Sequence, residues 1–251
     1  MHRFFLPADW IAEGTVVITG KPIHQIRNVL RLGASDRIIV LDNSGWQYEV
    51  ELQKVDTTGV EGKVISKSLA AGEPGTKITL YQALLKASNF EFVLQKCTEI
   101  GVAVFVPFIC KRCVAGTPDS KRLGRWRSII TEAAELSRRG KLPILQTPTS
   151  FTDACKSASG ISILPWEGEK LKGIGDVLRS HQKIGNDSAI SIFIGPEGGF
   201  SADEVEFARS CGIVPVSLGH RILRADTAGL VAATITLHEF GDLGNDQVPS
   251  T

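Results

Sequence analysis

Ile190-Ser191-Ile192-Phe193-Ile194-Gly195-Pro196-Glu197-Gly198-Gly199-Phe200-Ser201 reads as a buried strand running straight into a glycine-rich turn. Five apolar or small residues with no charge suit a strand covered on both faces, the habit of parallel sheets. Ser201-Ala202-Asp203-Glu204 follows with the spacing of a helix capping box. In open α/β sheets ligands bind beyond the carboxyl ends of the strands, and glycines there let a ligand approach the backbone. The segment lacks the lysine of a phosphate-binding loop and the three spaced glycines of a dinucleotide fold. A tight strand–helix turn is the plain alternative. Glu197 in its middle favours a site.

Working outward, two more strand ends resemble it. Leu218-Gly219-His220-Arg221-Ile222-Leu223-Arg224-Ala225-Asp226-Thr227-Ala228-Gly229 follows one strand, with Asp226 or Thr227 as candidate helix cap. Its arginines suit an anion or stay solvated. Ile163-Leu164-Pro165-Trp166-Glu167 closes another strand. Three such ends along one sheet edge make a crevice for a small, partly apolar ligand carrying a base ring. Strands at 77–85, 102–109, 161–164, 189–194 and 213–218 alternate with helices, including 90–100, 121–139 and 226–240. That rhythm predicts a mostly parallel sheet covered on both faces. The 121–139 helix is amphipathic, with Leu123, Trp126, Ile129, Ile130, Ala133 and Ala134 along one side.

The first seventy residues differ. Runs at 15–20, 36–42, 46–55 and 60–67 read as strands. One helix over 22–31 stops before Gly33. A small barrel with one helix fits these pieces. Leu69–Gly75, rich in small residues, Gly and Pro, is the linker candidate. The expected domains are therefore 1–72 and 73–251. The tail from Gly241 is polar and expected to fray.

The 251 residues carry 28 basic and 27 acidic side chains, so the net charge is +1. The balance is uneven: residues 73–150 are net +6 and residues 151–251 net −5. Nine lysines and arginines fall within 111–141, a footprint for a polyanion such as RNA or a solvated helix face. Apolar runs fall short of the ~20 residues of a membrane span. The N-terminal run is too short for a signal peptide, so a cytoplasmic protein is expected. Five cysteines (97, 110, 113, 155, 211) make no even disulfide framework. Cys110-x-x-Cys113 lacks the second pair or spaced histidines of a zinc site, so no metal is expected and reduced thiols are the reading.

Gly195–Ser201, Leu218-Gly219 and Arg221-Ile222-Leu223-Arg224-x-x-Thr227-Ala228 together resemble the SPOUT methyltransferases. More narrowly they resemble the ribosomal RNA small subunit methyltransferase E family, which methylates N3 of a uridine in 16S ribosomal RNA. Met1–Phe5, His24 with Val29-Leu30-Arg31, Lys96–Val102, and Glu132–Glu135 with Arg139 match further segments in order. Leu136, Arg138 and Asp226 depart from the family's usual glutamine, glycine and glutamate.

The resemblance implies an N-terminal PUA-like β-barrel that binds RNA and a C-terminal SPOUT α/β domain with a trefoil knot. It implies S-adenosyl-L-methionine as cofactor, held by Leu164, Pro165, Trp166, Glu167, Ile194, Gly195, Pro196, Glu197, Gly198, Gly199, Leu218, Gly219, Ile222, Leu223, Arg224, Thr227 and Ala228. The substrate would be uridine 1498 of the small ribosomal subunit, and the enzyme a homodimer. Uridine N3 is a poor nucleophile while protonated, so catalysis needs positioning and a route for the proton. Arg224 is the candidate for stabilising charge on the base, with Arg3 or Arg139 as others. Glu197 is either a base or a loop fastener. Arg3, Arg27, Arg31, Arg112, Arg125, Arg127 and Arg139 are the candidate RNA contacts. Phe4, Phe5 and Trp166 are candidates for base stacking, with core packing the alternative. Two other readings are a SPOUT enzyme acting on another RNA base or a tRNA, and a non-catalytic RNA-binding module.

Overall fold

In the computed structural model, residues 1–12, 14–181 and 189–244 are described. The chain forms two compact units. The first comprises Met1–Glu73 with Thr131–Leu142, and the second Pro74–Ile130 with Pro143–Thr251.

The first unit is built on β1 (His2–Phe5), β2 (Ile11–Ala12), β3 (Thr15–Ile18), β4 (Arg37–Leu41), β5 (Trp46–Val55) and β6 (Val60–Leu69). A helical segment, α1 (Lys21–His24), continues as a π-turn over Gln25–Val29. The strands pair in the order β1-β4-β5-β6-β3-β2. Among the described residues no pairing joins β1 to β2, so this is an open sheet where a closed barrel was expected. The reason is local: β1 pairs along β4 alone, in parallel, and β2 contributes only two residues to β3. Phe4, Val16, Ile18, Ile26, Ile38, Val40, Val50 and Val60 form its core. Phe4 is thus a packing residue.

Glu73 closes this unit. Its carboxylate accepts from Arg139 Nε at 3.2 Å and Nη2 at 2.9 Å, and from the backbone N–H groups of Gly140 and Lys141, both at 3.0 Å. Gly72 lies where a Cβ would meet Arg138 O at 2.4 Å. The small-residue stretch expected to link is therefore fastened down.

The second unit holds β7 (Lys77–Ala83), α2 (Ala87–Ile100), β8 (Val104–Ile109), α3 (Ser120–Leu136), β9 (Ile144–Leu145), β10 (Thr149–Ser150), α4 (Phe151–Ser157), β11 (Ile161–Pro165), α5 (Ile174–His181), β12 (Ala189–Ile194), α6 (Ala202–Ser210), β13 (Val214–Val216) and α7 (Ala225–Glu239). The last residues of α3, from Thr131, belong with the first unit. The sheet order is β10-β8-β7-β12-β11-β13, with β9 beside β8, and all pairs are parallel. Central β12 is buried from Ile190 to Ile194 because helices cover both faces. One layer packs Ile190 and Ile192 with Trp126, Ala232, Ala233 and Leu237. The other packs Phe193 with Phe108, Phe151, Phe200 and Val205. Parallel strands place the carboxyl ends of β11, β12 and β13 along one edge.

Asp242 accepts from the backbone N–H groups of Gly75 and Thr76 at 2.7 and 2.9 Å. The expected fraying from Gly241 therefore does not begin there; the remainder of that tail, 245–251, lies outside the described residues.

Candidate active site

The loop after β12 is anchored at both ends. Gly199 N–H donates to Pro196 O at 2.9 Å, closing a tight turn, and Gly199 has φ +66°. A left-handed residue here favours glycine. Phe200 is buried and its ring stacks over Phe108, with centroids 6.3 Å apart. A Cβ on Gly195 would lie 3.1 Å from that ring, so the first glycine admits the anchor. Ser201 and Glu204 complete the capping box at α6.

Three further contacts hold the loop from outside. Glu197 Oε1 accepts from Lys86 N–H, before α2, at 3.2 Å. Arg112 Nη1 donates to Gly198 O at 2.8 Å. Lys111 N–H donates to Glu204 Oε1 at 2.7 Å. Of the two roles open for Glu197, the observed bond is the fastening one. A Cβ on Gly198 would meet Arg112 Cβ at 3.3 Å, so that glycine makes room for the arginine.

This loop, the end of β11 and the start of α7 enclose a cavity of about 420 Å³. Pro165, Glu167, Ile194, Gly195, Pro196, Glu197, Gly198, Gly199, Ile222, Leu223, Arg224 and Ala228 line it. A second cavity, about 540 Å³, shares Pro165, Glu167, Ile222, Leu223 and Ala228 with the first, and adds Trp166, Leu218 and Gly219. These volumes fall in the roughly 300–1,000 Å³ range of small-molecule sites. Leu164 and Thr227 line neither: Leu164 is buried in the Phe193 layer, and Thr227 Oγ1 donates to Asp226 Oδ1 at 3.3 Å. Sequence reasoning missed Asn89 and Phe200 as lining residues, and Glu169 and Lys170 in the second cavity, whereas His220 and Arg221 lie within the Leu218–Ala228 loop it expected to form the pocket. Asn89 comes from α2, and no local motif marks it.

Arg224 is three-quarters exposed and pairs with Asp226 at 3.2 Å. It is also the residue before α7, where its side chain caps nothing, so neither Asp226 nor Thr227 is the cap expected. The first turn of a fifteen-residue helix faces the cavity through Ala225 and Asp226. The N-terminal end of a helix favours negative charge.

The arginines read as RNA contacts separate into classes. Arg27 and Arg31 are exposed after α1, and Arg127 is exposed on α3. Arg125 is exposed and grips Glu91 through Nε and Nη2 at 2.7 and 2.8 Å. Arg3 is half-buried, donates to Gln47 at 2.8 Å, and has its pKa lowered by burial and by nearby Arg138. Arg112 holds the glycine loop. Arg139 is a correction: its side chain is 2% exposed and sits on Glu73. A buried guanidinium committed to a carboxylate presents no face to a phosphate.

Comparison with known proteins places this geometry. An RNA methyltransferase domain model matches residues 72–237. The ribosomal RNA small subunit methyltransferase E of Synechocystis is 34% identical over 92% of this chain and 75% of its own. The chain belongs to the ribosomal RNA small subunit methyltransferase E family. The family member from Bacillus subtilis is 32% identical over 98% of this chain and 100% of its own. The crystal structure of the family member from Neisseria gonorrhoeae, bound to S-adenosyl methionine, superimposes with a TM-score of 0.80. It is 27% identical and covers 93% of this chain and 95% of its own. No described helix is long and apolar enough to cross a membrane.

Proposed function

We propose that this chain methylates N3 of a uridine, position 1498, in the 16S RNA of the small ribosomal subunit, using S-adenosyl-L-methionine. The observation that carries the reading is the pair of adjoining cavities at the carboxyl ends of β11, β12 and β13, where glycine turns leave backbone groups open to a ligand. The cavity residues suit that cofactor: Ile194, Ile222, Leu223 and Ala228 offer apolar contact, and the α7 N-terminus and Asn89 offer polar groups. When bound, the cofactor supplies a methyl group activated on a sulfonium.

The chain's own residues then have three tasks. The Gly195–Gly199 and Leu218–Ala228 loops bind and orient. Glu197, on Lys86 N–H, keeps the first loop in place. Arg224, at the cavity mouth, neutralises negative charge as N3 loses its proton. The N3 edge is a pairing edge, so the uridine enters unpaired. Arg27, Arg31 and Arg127 are proposed RNA contacts, and the first unit a PUA-like RNA-binding unit. The α/β unit is proposed to carry the SPOUT trefoil knot, supported by β12 inserting between β7 and β11 in the sheet. The working state is proposed to be a cytoplasmic homodimer.

The test is transfer of labelled methyl to small ribosomal subunits and to naked 16S RNA, with the product located by mass spectrometry of the digested RNA. A methyl at uridine N3 is expected; transfer to another base refutes the assignment. Arg224→Lys keeps the charge and loses the planar fork. Its single-turnover rate should fall roughly ten- to a thousand-fold with cofactor affinity retained. An unchanged rate removes Arg224 from the chemistry.

A further inference from the structure

The Cys110–Cys113 turn contains Arg112, whose side chain bonds to the active-site loop. Cys113 N–H donates to Cys110 O at 3.1 Å, which makes Cys110–Cys113 a closed four-residue turn. Such a turn keeps its end Cα atoms within ~7 Å, the range a disulfide spans. The two sulfurs are 3.5 Å apart, and Cys113 Sγ also accepts from Cys110 N–H at 3.3 Å. Closing to the ~2.05 Å of a disulfide needs a side-chain rotation and a small tightening of the turn, not a refolded backbone. Cys110 is buried and Cys113 is partly exposed. Cys113 is thus the more accessible of the two to an oxidant.

We propose that Cys110 and Cys113 form a reversible disulfide that controls cofactor affinity through Arg112. The inference about affinity rests on the function proposed above; the disulfide itself does not. The residues between the cysteines are those that hold the active-site loop: Lys111 N–H is on Glu204 and Arg112 Nη1 on Gly198 O. Glu204 also accepts from Ser201 N–H at 2.8 Å in the capping box. A bridge that pulls Cys113 toward Cys110 reorients the two residues between them and strains both attachments.

The chemistry divides between the two sulfurs. Hydrogen bonds from the Cys110 thiol and backbone bring the Cys113 thiol down to about 7, whereas Cys110, the donor in that pair, is pushed up and keeps its proton. With hydrogen peroxide as oxidant, Cys113 thiolate attacks one peroxide oxygen, the O–O bond breaks, and hydroxide leaves. The resulting sulfenic acid is attacked by Cys110, whose proton joins the departing hydroxyl as water. In total the two thiols lose two electrons and their protons, and one peroxide becomes two waters.

The test uses the full chain, reduced and then exposed to hydrogen peroxide. Oxidised protein should be about 2 Da lighter, the loss of two hydrogens in one disulfide. Trypsin cuts at Lys111 and Arg112, so the pair should appear as two peptides held by one bond. A bridge between Cys155 and Cys211, or no bridge, overturns the proposal. Calorimetric titration with S-adenosylmethionine should show affinity lower on the order of tenfold after oxidation, the scale of one lost hydrogen bond to a charged group. Dithiothreitol should restore it. Cys113→Ser should bind like reduced wild type before and after peroxide. A mapped bridge with unchanged affinity refutes the coupling. Absence of cofactor binding by reduced wild type instead overturns the functional reading, and the peptide map still decides the disulfide.

Discussion

Removing Glu73 should damage the protein more than removing its partner Arg139, and the asymmetry can be worked from the contacts. Glu73 accepts four hydrogen bonds, two from the Arg139 guanidinium and two from the Gly140 and Lys141 backbone. The Arg139 side chain is 2% exposed and that of Glu73 24%. Glu73→Ala leaves a buried guanidinium without its carboxylate, which costs about 3–5 kcal/mol. The same change strips two backbone donors of their acceptor. Arg139→Met leaves a carboxylate that water still reaches and that keeps both backbone bonds. About 1–3 kcal/mol is expected for it, since the methionine refills much of the apolar space. The double variant should cost less than the sum of the singles, because the charge stranded by each is absent. Urea denaturation at constant m-value measures all three. Equal losses for the two single variants, or additivity in the double, would refute the reasoning. So would a fall in RNA affinity for Arg139→Met with stability unchanged, which would return Arg139 to the RNA surface.

Glu135 provides a pH test. Burial raises its carboxyl to about 7, against a backbone bond from Phe5 N–H that opposes the shift. The folded state therefore binds a proton that the unfolded state releases near 4.5. Stability from this group is present below that value and is lost as pH rises toward 7. Glu135→Gln should flatten the fall between pH 5 and 8; an unaltered slope in urea titrations would exclude the group. Gly199→Ala places a Cβ 3.0 Å from Glu167 Oε1 at φ +66°, so calorimetric cofactor affinity should drop with the fold intact by circular dichroism. Glu204→Ala removes one half of the α6 capping box and the acceptor of Lys111 N–H, and should lower stability by about 1–2 kcal/mol in urea denaturation.

Periodicity exposed the α/β unit well, and for a physical reason. Its strands are buried on both faces and so appear as unbroken apolar runs: β12 was read at the residues it occupies, Ala189–Ile194. Long β5, Trp46–Val55, was equally legible from its turn and alternation. What failed were elements too short to carry a period. β2, β9 and β10 have two residues each and exist because a neighbouring strand supplies their partner. The open path of the first sheet was illegible for the same reason. Closure depends on whether β1 and β2 meet, and neither strand contains that information.

The site divides along the same line. Glycines and strand ends are local, and they marked both cavities from one sequence. Side-chain partners are not local: Arg112 and Arg139 stand in the same basic run, yet one ends on a backbone carbonyl and the other, itself buried, on a carboxylate. Charge counting treats them alike because it sees neither burial nor the residue across the fold. Glu197 shows the converse. Its place in the glycine turn marked it as functional, but its bond to Lys86 N–H crosses 111 residues of chain. A carboxylate that holds a loop to the start of α2 is poorly free to swing toward a substrate proton. If the proposed function holds, the proton of uridine N3 would leave to solvent as Arg224 lowers the cost of the charge left behind, and the pH–rate profile should follow the base rather than a carboxylate. Glu197→Gln keeps an acceptor for Lys86 N–H, so it should keep most of the single-turnover rate. A loss of roughly a hundredfold or more, the scale of a missing general base, would make Glu197 that base.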